Sequence, residues 1–450
     1  MGAPRGFDDL LRYPLVDAVF HRRTRRVSRG VRRVRAGSLS YEDPDAQPRP
    51  LSELEEAILI AMTGTTGITL PDRPFESDDG TDPIMGAPNM TMAGRSAGSP
   101  DNAQATHFFL INDAGTYYLR RLEKESAPVP FTPENLVARA RASKQLILDE
   151  RLDFPDRDFP AYLDSNRFLS NLPGTTILLP VVDLTRQYIN ALMYLLTQPD
   201  GSRPALVDDR NFYLPAGTRR WIRSGFLNKD ITLPLGSLGT MRTDYEAMSL
   251  LQTLMLTAQA MGLGAWIHAT IGPPVMLGHP RFAPRYGRGL GFDYAVPRFN
   301  PLDQVRWGVA LPEARAHPVG LPGAFTGLCP PYVEDMGEAV DRIIEHKFGP
   351  DGVYRDPDNF RPVFREGLAE RYMAEVPVYE PEVIECTKAI CRYIHRTHGR
   401  FPAHCDAVHV PGVWLQVHSL NLGYYDALFD QVLTPAQRTH DERWPADDSD

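Results

Sequence analysis

The sequence predicts an α+β protein, a mixed sheet flanked by helices and followed by a largely helical C-terminal extension. Three observations carry that reading. Apolar runs of strand length at 107–111 (HFFLI) and 177–182 (ILLPVV) alternate with segments of helical period at 52–62 and 243–261. The 450-residue chain is 42% apolar and 23% charged, which suffices for a sizeable core. Beyond Pro330 the texture shifts to helical patterns around 336–346 and 382–397. The expected organisation is a domain over 1–325 with an inserted loop at 63–100, an extension over 326–435 and an acidic tail over 436–450.

Taken in order, Pro14 can open a helix at its first position, and Leu15, Val16, Val19 and Phe20 give it an apolar face. Ser52 and Glu55 form an S-x-x-E capping box ahead of Leu54, Ile58, Ala61 and Met62, so a second helix starts there. Residues 63–100 are rich in Gly, Pro, Thr, Asp and Ser and read as a lid or an insert. The 107–111 run is a buried strand, and 117–119 its partner after the turn Asn112-Asp113-Ala114-Gly115. The 177–182 run is a second strand, which Pro180 demotes toward an edge or a bulge. Thr243 and Glu246 form another capping box, Gly262 supplies the stop, and the helix between them is apolar nearly all round. Such a helix is buried on several sides, within a core or between subunits.

Composition excludes several classes. The chain has no apolar stretch of about 20 residues, so a membrane span is not expected. The first twenty residues lack a secretory-signal pattern. Cys329, Cys386, Cys391 and Cys405 are too few for a disulfide framework and are expected as reduced thiols in the cytoplasm. A net charge of −9 disfavours a nucleic-acid surface.

Against that acidic balance, Arg22, Arg23, Arg25, Arg26, Arg29, Arg32, Arg33 and Arg35 crowd one short stretch. Guanidinium groups present paired donors matched to phosphate oxygens, and the Thr24 hydroxyl adds another. The tract therefore suits the terminal phosphate of a small ligand. On composition alone, a solvated basic face or a polybasic arm is the commoner outcome for such a run.

The order of motifs narrows this. The nitroreductase superfamily opens with a helix and an R-x-S-x-[RK] element, which Arg22-Arg23-Thr24-Arg25-Arg26 resembles. It continues with a capped helix like that at 52–62 and a loop S-x-x-N-x-Q-P-W ahead of a strand. Ser99-Pro100-Asp101-Asn102-Ala103-Gln104-Ala105-Thr106 is similar to that loop, with Ala105-Thr106 in place of Pro-Trp. A long buried helix ending in A-x-G-L-G follows in the family, and Ala260-Met261-Gly262-Leu263-Gly264 matches it. The glycine-containing segment after that helix reads Ala269-Thr270-Ile271-Gly272-Pro273-Pro274, without the acidic residue of many members. The resemblance covers roughly the first three-fifths of the chain.

The resemblance implies an FMN-dependent oxidoreductase that takes hydride from NAD(P)H and passes it to a nitro compound, quinone or activated alkene. It implies a homodimer, with no nucleic-acid or membrane partner. Arg22, Arg23, Thr24 and Arg26 would hold the FMN phosphate, Asn102 and Gln104 the polar edge of the ring, and Ile271 and Gly272 its face. Arg285, Arg288 and Arg298 are candidates for a late basic pair at the phosphate. The alternatives are a nitroreductase-like scaffold that binds or consumes flavin without nicotinamide turnover, and a non-enzymatic anion-binding protein. Near the C-terminus, His404, Cys405, Asp406, His409 and His418 gather metal-capable side chains, but H-x4-H does not put two histidines on one helical face. No metal is expected there, and histidines satisfied within an aromatic core are the expected outcome.

Overall fold

The computed structural model describes residues 3–35, 37–68, 93–122, 130–163, 165–206, 219–297, 316–376, 378–403 and 405–445. Its centre is a seven-stranded sheet. The strands are β1 Thr106–Asn112, β2 Gly115–Leu119, β3 Lys144–Leu148, β4 Thr175–Asp183, β5 Gly264–His268, β6 Val408–His409 and β7 Trp414–His418. They run in the order β5-β7-β4-β1-β2-β3, with the short β6 also paired to β4. Every pairing in this sheet is antiparallel, which corrects the expected mixed arrangement. The tight turn at Asp113-Ala114 forces β1 and β2 antiparallel, and β4 meets β1 from the other side in the same sense.

The apolar run of β1 is continuous because both of its faces are buried. Phe108 and Leu110 join Ile58, Leu59, Leu251, Leu254 and Val417 on one side. Phe109 and Ile111 join Leu179, Val181, Tyr162, Met276 and Phe292 on the other. Two helices cover the first side: α3 Glu53–Thr63 and α6 Leu235–Ala260. Ahead of α3 lie α1 Arg5–Arg12 and α2 Leu15–Phe20, and α4 Pro133–Ser143 packs beside α3. A further apolar cluster joins α5 Leu184–Leu196, α7 Met336–Phe348 and α8 Pro381–His398 through Ile189, Leu192, Val340, Ile390 and Cys391. The last helix, α9 Pro435–Arg443, returns to the N-terminal region, where Arg443 pairs with Asp9 at 2.7 Å.

The Ser52–Glu55 capping box forms as expected, with Ser52 N–H donating to the Glu55 carboxylate at 2.7 Å. The Thr243–Glu246 box does not. The helix begins eight residues earlier, at Leu235 after Pro234, so both residues are interior. Thr243 Oγ1 bonds back to Gly239 and Thr240, and Glu246 turns to the loop before β1. The stop is as read: Gly262 takes φ +87° and its N–H closes on Gln259.

Two further expectations change. Pro180 lies inside the central strand β4, paired with Phe108 on the β1 side. On the opposite side the pairing breaks between Leu178, opposite Leu415, and Val182, opposite His409. A residue without an N–H is tolerated in such a break. The boundary at 325/326 also fails to divide the sheet, because β7, from the presumed extension, lies between β5 and β4. Of the 63–100 loop, 65–68 and 93–95 pair antiparallel, and the stretch between them lies outside the described residues. No described helix is long and apolar enough to cross a membrane. None of the four cysteines forms a disulfide.

Candidate anion and flavin site

The arginine tract follows α2 without regular structure and is held from below by α6. Gln259, buried on α6, accepts the backbone N–H of Arg23 at 2.8 Å. One helical turn earlier, Met255 Sδ lies 4.0 Å from Arg22 Nη1. Arg26 donates to Asn166 Oδ1 at 2.9 Å. Arg25 donates to the Val432 carbonyl, and its guanidinium lies 5.8 Å over the Tyr425 ring. Arg23 donates to the carbonyls of Arg22, at 2.8 Å, and Phe20.

Charge divides the tract. Arg29 pairs with Asp441 at 2.7 Å and Arg33 with Glu42 at 4.0 Å, while Arg32 donates to the Ala46 carbonyl. Among the described residues, none of Arg22, Arg23, Arg25 and Arg26 has a carboxylate within ion-pair distance. Their partners are neutral groups, so no described carboxylate balances the charge of these four guanidinium groups. A cleft of about 520 Å³ opens beside them, with Arg23 and Arg25 on its wall. Arg22, Thr24 and Arg26 do not line it.

The second predicted segment is built around Glu246. This carboxylate accepts the Thr106 N–H at 2.7 Å and the Ser99 hydroxyl. Its charge is balanced by Arg95 at 3.8 Å, both side chains being 1% exposed. Burial lowers the Arg95 pKa to about 9, which leaves it cationic at neutral pH. Above this pair, Asn102 (φ +49°) and Gln104 (φ +47°) both occupy the left-handed region, a cost that structure around them must offset. Gln104 is 4% exposed and donates to Asn102 Oδ1 at 2.7 Å. Gln104 Oε1 is buried and accepts nothing from the described residues.

A basic side chain just past the end of β2 closes this segment. Arg121 donates to the Gln104 carbonyl and, at 3.1 Å, to His107 Nε2. Arginine cannot accept, so His107 Nε2 is the acceptor and Nδ1–H faces the Tyr118 hydroxyl at 2.8 Å. Burial, with Arg121, Arg95 and Arg186 nearby, pushes the His107 pKa well below its ordinary value. The ring is a neutral bridge.

Ile271 and Gly272 stand elsewhere. Gly272 N–H donates to Ala161 at 2.9 Å, Ile271 bridges Tyr162, and a Cβ on Gly272 would collide with the Pro160 carbonyl. The close approach that demands glycine is therefore with the chain itself. The segment lies past His268, at one end of β5. The bridge of Ser28 to Leu420 lies past the other end, where Gly264 faces His418. The structure thus separates Gly272 from the arginine tract by the length of β5, and Thr106, paired with Val182 at the end of β4 far from Thr175 and His418, lies at the same end as Gly272. Arg285 is engaged by Asp158 at 2.5 Å, and Arg298 lies outside the described residues.

The C-terminal cluster disperses. His409 pairs with Asp244 at 3.0 Å, Asp406 with Arg400 at 2.6 Å, and His418 is buried in β7. His404 lies outside the described residues, and among those described no group of three metal-capable side chains assembles. Sequence reading missed the anchoring roles of Gln259, Glu246 and Arg121. Gln259 had a visible signal, a long polar side chain among the small residues Thr257, Ala258 and Ala260 of the final turn. Comparison with models of known families and with curated proteins returned no match.

Proposed function

We propose that this protein is a cytoplasmic, FMN-dependent oxidoreductase of nitroreductase-like design, acting as a homodimer on a small organic acceptor with NAD(P)H as donor. One observation carries the reading. A single helix, α6, fastens both segments expected at opposite ends of the flavin: Gln259 holds Arg23, and Glu246 holds Ser99 and Thr106. The two anchors are 13 residues apart, roughly 20 Å along the axis.

The residues present fit the group. The tract supplies guanidinium donors without carboxylate partners, so Arg22, Thr24 and Arg26 would hold a phosphate. The orphaned Gln104 Oε1 calls for a buried donor, which the imide N–H of an isoalloxazine provides. Arg121 places positive charge beside the Gln104 carbonyl and would favour negative charge on the ring edge. Bound there, FMN would supply the hydride-transfer chemistry. Dimerisation is supported by the outer face of α2, where Leu15, Val16, Val19 and Phe20 are exposed and Phe20 reaches 75%.

The closed packing at Gly272 favours a second reading, in which flavin is held without nicotinamide turnover. The test is the spectrum of the purified protein, followed by FMN addition and NADH or NADPH oxidation. Flavin with turnover supports the first reading, flavin without turnover the second. Protein that takes up no FMN overturns both.

A further inference from the structure

We propose that the cleft beside the arginine tract is a separate site for a phosphate ester carrying an aromatic body, of mononucleotide size. The tract parts its side chains to two sides. Arg22 and Arg26 reach Met255 and Asn166, whereas Arg23 and Arg25 line the cleft with Tyr13, Asp17, Leu433 and Thr434. Its volume of about 520 Å³ lies within the roughly 300–1,000 Å³ range of small-molecule sites.

The lining specifies the ligand. Arg25 is fixed by the Val432 carbonyl and the Tyr425 ring, so its guanidinium is pre-positioned, and Arg23 adds a second positive charge. The N-terminus of α9 borders the cleft at Thr434 and Pro435, and the positive end of its dipole adds to the attraction. Tyr13, Leu433 and Pro435 offer apolar wall for a flat ring. Asp17, 3.6 Å from His21, is an acceptor that repels bare phosphate and welcomes a ligand hydroxyl or amino group. Gln431 holds φ +52°, so the turn that shapes the far wall is strained. This site stands apart from the flavin reading, whose phosphate grip keeps Arg22, Thr24 and Arg26, while Arg23, the other residue expected there, lines the cleft instead.

The test is calorimetric titration of the full chain with AMP, adenosine and inorganic phosphate, repeated with FMN present. AMP should bind one to one and about tenfold more tightly than phosphate or adenosine, and protein already holding one equivalent of FMN should still take up one AMP. Arg23→Glu should weaken AMP by about tenfold or more, while Arg33→Glu, on a remote exposed hairpin, should stay within about twofold. Arg23 is exposed and, among the described residues, its side chain bonds only the Phe20 and Arg22 carbonyls, so a thermal melt should show the variant folded. Asp17→Asn provides a second probe, narrowing the preference for AMP over phosphate. No AMP binding, equal losses in Arg23→Glu and Arg33→Glu, or failure of protein holding one equivalent of FMN to take up AMP would overturn the proposal.

Discussion

The buried amide of Gln259 accepts the Arg23 N–H at 2.8 Å and donates to the Ala18 carbonyl at 3.4 Å, clamping the end of α2 and the start of the arginine tract onto α6. Gln259→Leu leaves both backbone groups unpartnered. We expect a stability loss of about 1–3 kcal/mol in urea unfolding, with a weaker FMN affinity. Full stability in the variant would remove the clamp from the account.

If Arg22 and Arg26 hold a phosphate, their contribution depends on its presence in the ligand. Arg22→Ala and Arg26→Ala should each weaken FMN by about tenfold or more in a fluorescence titration. Riboflavin, which lacks the phosphate, should bind the variants and the parent alike. Parallel losses for both ligands would point to a collapsed site.

His440 and Glu55 form a buried pair at 2.6 Å that ties α9 to the capping box of α3. Burial alone would lower the His440 pKa, but hydrogen bonds to Asp441 and Glu55 outweigh it and raise the pKa above the ordinary value. A raised folded-state pKa means that the contribution is complete below the unfolded pKa of about 6.5 and fades as pH rises through the folded one. His440→Ala should therefore cost about 3 kcal/mol near pH 6 and less in alkaline solution. A cost that grows with pH would contradict the assignment.

Two other histidines act with the opposite sign. Burial lowers His268 and His418 to about 3, with mutual repulsion adding to His268. The unfolded chain binds protons below about pH 6.5 that the folded chain refuses, so stability falls as pH falls through this window. Near pH 5 the loss should be about 2 kcal/mol per histidine. His418→Leu should flatten this limb in pH-dependent unfolding, and an unchanged limb would assign it to other groups.

The exposed face of α2 gives a solution test. Phe20→Glu should shift the protein from dimer to monomer in sedimentation and remove the concentration dependence of its thermal melt, with the fold kept because Phe20 is largely solvent-facing in the single chain. A parent protein that sediments as a monomer would contradict the homodimer.

Local chemistry was the legible part of this fold. The Ser52 box, the Gly262 stop and the hairpin at Asp113-Ala114 are each decided by a few adjacent residues. What stayed hidden depends on distant partners. Thr243 and Glu246 have the spacing of a cap, yet packing extends the helix upstream through Gly236 and Gly239, and Glu246 is required by Ser99 and Thr106. Pro180 is acceptable in a central strand only because the opposite pairing breaks beside it, and residues 414–418 supply the strand that places that break. At the candidate site, the arginine run and the 99–106 segment were visible as motifs. Their attachment to one helix was not, because it rests on two polar side chains within an apolar pattern.

The most direct measurement is the absorbance spectrum of the purified protein before and after incubation with FMN. The account predicts a yellow protein with the visible bands of a bound flavin, retained through gel filtration. A colourless protein that leaves added FMN in the free fraction would contradict it.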